Sequence, residues 1–190
     1  MKWGVVPHLL RRSRGKAAMT LNHFSSDQFA VSRFAPHGRT EAQVQGRVLR
    51  CVSWGPFNQE LLQAHCRLLT EVGRHLPKDR RYLELIEFRD SLLMPREAWA
   101  VISDFIDHVV ANKAAAQATV LVLDTHVEGY ELFGKRCEAL WSRSRPVHTV
   151  NTRLMAEARI EQLLAEHQLD DDYHRAGQPR SMATPSPAPR

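Results

Sequence analysis

The 190-residue sequence lacks the short motifs that would identify a catalytic or nucleotide-binding site. It has no G-x-G-x-x-G and no G-x-x-x-x-G-K-[ST] segment, which excludes a Rossmann fingerprint and a phosphate-binding P-loop. The G-x-S-x-G elbow of α/β-hydrolases is absent too. Its ten histidines are scattered and form no H-x-x-x-H pair on a predicted helix. We therefore predict a protein that is not an enzyme, with no catalytic residues, no metal and no cofactor.

Cysteine is scarce. Cys51, Cys66 and Cys137 are widely spaced and form no C-x-x-C pair, which excludes a disulfide framework and a zinc site and fits a reducing compartment. We expect all three to be buried structural thiols. Cys66 follows His65, but adjacent residues of a helix point about 100° apart, which disfavours a nucleophile and base. No apolar run approaches the length of a membrane span, so we expect a cytoplasmic protein without a transmembrane segment.

Basic charge is concentrated at the start of the chain. The net charge is +5, and five basic residues and no acidic residue fall within the first 18 positions. Without those five, the numbers of basic and acidic residues are equal. A nucleic-acid-binding domain usually has a basic face, so no nucleic-acid partner is predicted. We expect a disordered basic extension over 1–27, with Met19 as an alternative start, an α/β domain over 28–169, and a disordered Pro/Ser-rich tail over 170–190.

Strand and helix patterns alternate between the two ends. A tight turn at Gln45-Gly46 predicts a leading β-hairpin, and three βα units follow it. The strands are predicted at Phe29–Phe34 (an edge strand), Thr40–Gln45, Arg47–Trp54, Tyr82–Phe88, Thr119–Leu123 and Pro146–Val150. The helices are predicted at Asn58–Leu76, after Pro95, after a Thr125-x-x-Glu128 capping box, and at Arg153–His167. This order, β-β-α-β-α-β-α-β-α, predicts a single domain with a mostly parallel sheet of four to five strands and four helices.

Polar residues follow the carboxyl end of each predicted parallel strand, where open α/β sheets bind their ligands. We call this set the carboxyl-end rim and expect it to contact a ligand or partner. Asn58, Thr125 and either Asn151 or Thr152 also suit helix N-caps, and Arg89 with Asp90 suits a surface ion pair. The rim consists of Trp54, Asn58, Arg89, Asp90, Ser91, Asp124, Thr125, His126 and Asn151.

The strand–Gly55-Pro56-Phe57-Asn58–helix join, the hairpin before it and the three βα units after it resemble the STAS-like group. That group comprises the SpoIIAA-like anti-sigma-factor-antagonist domains and the related lipid-carrying, Sec-fourteen-like fold. The similarity covers about Thr40–His167. STAS antagonists carry an Asp-Ser-Ser/Thr-Gly loop whose serine a partner kinase phosphorylates. Asp90-Ser91 is the segment here that most resembles it, but it lies nearer the strand than that motif and no glycine follows. The resemblance implies a regulatory module.

Two functions are consistent with these patterns. The first is a non-catalytic regulatory module that docks another protein, with a homodimer also open. The second is a carrier or sensor that holds a lipid-like or small apolar ligand between the sheet and the helices. Aromatic residues on the predicted helix faces motivate the second function: Trp99, Phe105, Tyr130, Phe133 and Trp141.

Overall fold

A computed structural model describes residues 22–31 and 34–169 of the chain. In this part of the chain six strands and four helices form one α/β domain, which confirms the predicted class. The sheet has six strands rather than four to five. The strands are β1 (Asn22–Ser25), β2 (Arg39–Gln45), β3 (Val48–Trp54), β4 (Leu83–Arg89), β5 (Ala118–Val122) and β6 (Val147–Val150). The helices are α1 (Gln59–Val72), α2 (Arg96–Ala111), α3 (Tyr130–Ser142) and α4 (Arg153–Glu166).

The strands lie side by side in chain order, from β1 to β6. β1, β2 and β3 pair antiparallel, and β3, β4, β5 and β6 pair parallel. Gly46 turns the chain between β2 and β3 with φ of 56°, a left-handed conformation that glycine adopts without steric cost. The predicted hairpin and mostly parallel sheet are both present.

The edge strand lies elsewhere than predicted. The described residues of the predicted strand Phe29–Phe34 are not in a strand, and 32–33 lie outside the described residues. The edge strand is β1, which pairs with β2 and is followed by a short 3₁₀-helix at Ser26–Phe29. β1 also falls inside the range 1–27 that was predicted as disordered, so that boundary is too late. Its sequence is mostly polar because an edge strand packs little of its surface: Phe24 packs against the core and His23 is exposed. The remaining predicted tails, 1–21 and 170–190, lie outside the described residues.

Each face of the sheet has its own apolar core. Residues of α1, α2 and α3 pack on one face, and α4 packs on the other. Neighbouring residues of β4 and β5 alternate between the two cores, so both strands are buried on both faces. Among the described residues, no helix has the length and apolar character needed to cross a membrane.

The predicted helix caps are partly correct. The side chain of Asn58 accepts a hydrogen bond from Leu61 N at the start of α1, and Thr152 caps α4 in the same way. The predicted capping box at Thr125 is wrong, because α3 begins only at Tyr130, after Gly129. The backbone of Glu128 is instead bonded to the β4–α2 connection, with Leu92 N donating to Glu128 O at 2.7 Å. A tertiary contact thus outweighs the local capping signal.

Candidate functional site: two openings at opposite ends of the sheet

The structure brings four of the nine rim residues to one opening. Arg89, Asp90, Asp124 and Asn151 border a crevice of about 370 Å³ between the β5–α3 and β6–α4 connections. These connections diverge because α3 and α4 lie on opposite faces of the sheet, and such a divergence is what opens a crevice in an α/β fold. We call this opening the carboxyl-end crevice. Asp90 stands at its edge with φ of 64°, a left-handed conformation that is rare for a residue with a side chain.

The charged groups of the carboxyl-end crevice are largely paired with one another. Glu87 accepts from Arg89 Nε at 2.6 Å and from Arg153 Nη1 at 2.8 Å. Burial works to raise the pKa of Glu87, but these two hydrogen bonds outweigh it and hold the pKa below its usual range. Arg153 also bonds Glu157, which accepts from Arg50 Nη1 at 2.6 Å. The predicted ion pair of Arg89 with Asp90 is wrong, since Glu87 is the partner of Arg89.

Trp54 lies beside this network. Its ring is flanked by the guanidinium groups of Arg39, at 4.9 Å from the ring centroid, and Arg89, at 5.6 Å. Both contacts follow from the strand register, which pairs Trp54 with Arg39 on β2 and with Arg89 on β4. Trp54 is therefore held by its neighbours at the edge of the rim.

Asn58 is a structural residue of the rim. Its Oδ1 accepts from Leu61 N at 3.0 Å and from His37 N at 2.9 Å, and its Nδ2 donates to Ala35 O at 3.0 Å. Thr125 and His126 are exposed in the turn before α3. His126 donates its backbone N–H to Asp124 Oδ1 at 2.9 Å, and its Nδ1 lies 2.8 Å from the same oxygen. These hydrogen bonds lower the pKa of Asp124.

Ser91, the rim residue that the resemblance to STAS domains singled out, is only 2% exposed. Its Oγ accepts from Leu93 N at 3.1 Å. The β3–α1 loop covers it so closely that a Cβ added to Gly55 would lie 2.0 Å from Ser91 O. A kinase could reach this hydroxyl only if the two loops separated.

The second opening lies at the amino ends of the parallel strands, whereas the sequence predicted a set of site residues only at their carboxyl ends. A cavity of about 330 Å³ is enclosed by the sheet, the last turns of α1 and α2, and the connection that leads into β4. We call it the amino-end cavity. Most of its wall is apolar. The apolar lining residues include Leu49, Leu69, Leu76, Ile86, Phe105, Ile106, Val109 and Trp141.

The floor of the amino-end cavity holds a buried ion pair. Glu84 of β4 is 4% exposed, and its Oε2 accepts from Arg145 Nη2 and, at 2.8 Å, from Thr119 Oγ1. Arg145 Nε donates to the same threonine hydroxyl at 2.6 Å. Arg145 itself is 5% exposed at its side chain. Both acidic residues of β4, Glu84 and Glu87, are buried.

Other ionisable groups at the cavity floor are neutral. Burial lowers the pKa of His65 to about 4, although Glu84 opposes that shift. Burial raises the pKa of Cys51 and of Tyr82, and in both cases Glu84 adds to the increase. The His65 Nδ1 lies 3.2 Å from Thr40 Oγ1, which lies 3.0 Å from Ser53 Oγ. The polar groups that line the floor are therefore His65, Tyr82 and the Glu84–Arg145 ion pair.

The three cysteines are free thiols. Cys51 and Cys137 are buried as expected, whereas Cys66 is half-buried. Burial raises the pKa of Cys66 and of Cys137 to about 12. A thiol with so high a pKa is a poor nucleophile at neutral pH, so the pairing of Cys66 with His65 has no support.

Charged and polar side chains surround the mouth of the cavity. Arg74, Arg80, His108 and Asn112 line it, and all four are exposed. Arg74 is paired with Glu71 at 2.5 Å, whereas Arg80 forms no ion pair with any residue of 22–31 or 34–169. Glu84 is the one acidic residue that lines the cavity within the described residues, and Arg145 already neutralises it. The mouth is therefore basic.

The aromatic residues that motivated a ligand site divide between core and cavity. Phe105 and Trp141 line the amino-end cavity. Trp99 stacks on Phe133 with ring centroids 6.0 Å apart, and Tyr130 packs against Gly134. Within the described residues, no group of three or more His, Cys, Asp or Glu side chains is placed to hold a metal ion.

A scan against protein-family models, a search of curated proteins and a search of solved structures found no match to this chain.

Proposed function

We propose that the protein binds a small, mainly apolar molecule in the amino-end cavity and acts as its carrier or sensor. The observation that supports this proposal is the cavity itself. Its volume of about 330 Å³ lies within the range of small-molecule sites, about 300–1,000 Å³. Such sites combine apolar walls with a few polar groups that orient the ligand. The apolar wall and the polar floor at Glu84 have that composition.

The carboxyl-end crevice supports this function less well. It is similar in volume, but its lining is dominated by Glu87, Arg89 and Arg153, which bond to one another. A ligand there would have to displace contacts that already satisfy these charges. A small apolar molecule gains most where apolar surface leaves water, which favours the amino-end cavity.

Decanoate is a suitable first probe, because it has an apolar chain and one polar end. We expect saturable binding of one decanoate per chain in isothermal titration calorimetry. Ile106→Trp places a larger side chain in the cavity wall and should abolish binding. Val110→Trp makes a comparable change on the outer side of the same helix, where Val110 is 45% exposed, and should leave binding intact.

Circular dichroism and the melting temperature would show whether both variants fold. Leu69→Trp fills the cavity from α1 and replaces Ile106→Trp if the latter does not fold. The proposal is wrong if decanoate does not bind, or if cavity-filling and outer variants bind it equally.

A docking surface for protein is the second candidate function. Large apolar side chains are exposed where α3 and α4 begin, at the carboxyl end of the sheet: Leu132 is 69% exposed and Leu154 is 82% exposed. A second copy of the chain is the partner that can be tested without any other component. We expect sedimentation velocity to show a dimer that Leu154→Asp converts to monomer, and a wild-type monomer would count against self-association.

A further inference from the structure

The polar groups of the amino-end cavity are arranged in two places, and this arrangement restricts the ligand. One place is the floor at Glu84 and the other is the mouth at Arg80. We infer that the ligand is an amphipathic hydroxy acid, with a neutral hydroxyl donor at its buried end, an apolar middle and an anionic group at the mouth. This inference rests on the proposed function and adds the chemical class of the ligand.

The buried end is defined by the unused oxygen of Glu84. Both hydrogen bonds that its carboxylate accepts end on Oε2, from Thr119 and from Arg145. No other described residue donates to Oε1. Within the described part of the chain, Trp99 Nε1 is the one fully buried side-chain nitrogen or oxygen that has no hydrogen-bond partner. Glu84 Oε1, which has no partner among the described residues and is not in that class, therefore keeps some accessible surface. The space next to it is the amino-end cavity, which Glu84 lines.

The group that bonds this oxygen is expected to be neutral. Arg145 already balances the charge of Glu84, and a second cation on the floor would be buried beside Arg145 without a counter-charge of its own. Burying an unpaired charge is costly, whereas a hydroxyl needs only one acceptor. A bare methyl at this position would leave the Glu84 oxygen without a hydrogen bond.

The outer end is defined by the charge at the mouth. Arg80 is exposed, lines the cavity and forms no ion pair with a described residue, while Arg74 adds a second, partly neutralised guanidinium. Since no acidic residue of the described chain lines the mouth, an anion there meets no repulsion from the lining. A carboxylate suits a guanidinium because two parallel hydrogen bonds can form between them.

Three ligands of equal chain length separate these features: decanoate, 10-hydroxydecanoate and 1-decanol. We expect 10-hydroxydecanoate to bind about tenfold more tightly than decanoate, since it adds a hydrogen bond to a charged acceptor. 1-Decanol, which lacks the carboxylate, should bind about fivefold more weakly than 10-hydroxydecanoate.

In Arg80→Gln, 10-hydroxydecanoate should no longer bind more tightly than 1-decanol. It should still bind more tightly than decanoate, because the hydroxyl contact at Glu84 is unchanged. Lys78→Gln is the matched control, because Lys78 is exposed nearby but does not line the cavity. The ¹³Cδ resonance of Glu84 should shift with 10-hydroxydecanoate and stay in place with decanoate.

The outcomes distinguish this inference from the proposed function. If none of the three ligands binds, the proposed function itself is wrong. If they bind and Ile106→Trp abolishes binding, but decanoate and 10-hydroxydecanoate have equal affinity, the function stands and the hydroxy-acid inference is overturned. An unshifted Glu84 resonance with 10-hydroxydecanoate would also overturn it.

Discussion

The carboxyl-end crevice and the amino-end cavity lie at opposite ends of the same parallel strands, and they differ in how their walls are held. At the carboxyl end, loops pack directly on one another, and Gly55 lies against the backbone of Ser91. At the amino end, α1 stops at Val72, and the residues after it line the mouth of the cavity instead of continuing the helix. The β3–α1 and β4–α2 loops are thus packed tightly together, whereas the chain after α1 leaves space between the sheet and the helix ends.

The two openings also differ in how they treat a buried carboxylate. Glu84 and Glu87 lie three residues apart on β4 and face opposite sides of the sheet. Glu87 is shared by two arginines that are partly exposed, whereas Glu84 has one arginine that is almost fully buried. Glu87 is thus fully engaged by arginines at the carboxyl-end crevice, whereas, among the described residues, Glu84 keeps one oxygen free to accept a hydrogen bond in the amino-end cavity.

We expect the largest difference in stability between two variants that each remove one arginine partner, Arg145 from Glu84 and Arg153 from Glu87. Arg145→Met leaves the Glu84 carboxyl buried without its cation, and should lower the free energy of unfolding by about 3–5 kcal/mol. Arg153→Met is the matched control and should cost about 1 kcal/mol or less, because Arg153 is 41% exposed and Arg89 still pairs with Glu87. Urea unfolding at pH 7 measures both. Equal losses would mean that the two carboxylates are held alike.

Loop packing at the carboxyl end can be tested at Gly55. A Cβ there would lie 2.0 Å from Ser91 O, so Gly55→Ala should force the two loops apart and destabilise the protein by about 3 kcal/mol. Gly73→Ala at the amino end is the control. Its Cβ would lie 3.3 Å from the nearest atom, and its φ of −55° suits alanine, so we expect a change within about 1 kcal/mol. Chemical unfolding measures the stability of both variants. If Gly55→Ala is as stable as Gly73→Ala, the loops at the carboxyl end are not packed as tightly as described.

The neutral floor of the amino-end cavity should make stability depend on pH. The pKa of His65 is lowered to about 4 in the folded chain, below the value of about 6.5 in an unfolded chain. Between these values the unfolded state binds more protons, so stability is complete above about pH 6.5 and falls as the pH decreases. Between pH 7 and pH 5 the wild type should lose about 2 kcal/mol more than His65→Gln. Parallel pH profiles from both proteins would refute a buried neutral His65.

The smallest expected effect is at Trp54. Arg39→Gln removes one of the two guanidinium groups that flank the ring, and a cation–π contact at such an exposed site is worth about 0.5–1 kcal/mol. Arg96→Gln, on an exposed residue of α2, is the control. The difference should appear in the melting temperature together with a change in tryptophan fluorescence. No difference between the variants would show that Arg89 alone holds Trp54.

Local signals predicted most of the fold. The strand predicted at Thr119–Leu123 is β5, and Asn58 was correctly predicted as the cap of α1. The predictions failed where tertiary contacts decide the outcome. Thr125 does not cap α3 because the backbone of Glu128 is bonded to the β4–α2 connection. β1 was missed because a polar edge strand has almost no periodic apolar signal.

The candidate site was harder to predict than the fold. The rim residues Asp90, Asp124 and Asn151 do meet, because strand ends are ordered by the sheet. The amino-end cavity has no equivalent signal, since its space depends on where α1 ends and on how its side chains pack. One residue did carry a clue: Glu84 lies between apolar residues of a central strand, where a buried carboxylate requires a cation, and Arg145 stands just before β6.

Methyl NMR of the protein with decanoate tests most directly which opening holds the ligand. We expect the resonances of Leu69, Ile86, Ile106 and Val109, which line the amino-end cavity, to shift as decanoate is added. The resonances of Val122 and Val127, which line the carboxyl-end crevice, should stay in place. Shifts confined to Val122 and Val127, or no saturable shift at all, would contradict the assignment of the ligand site to the amino end of the sheet.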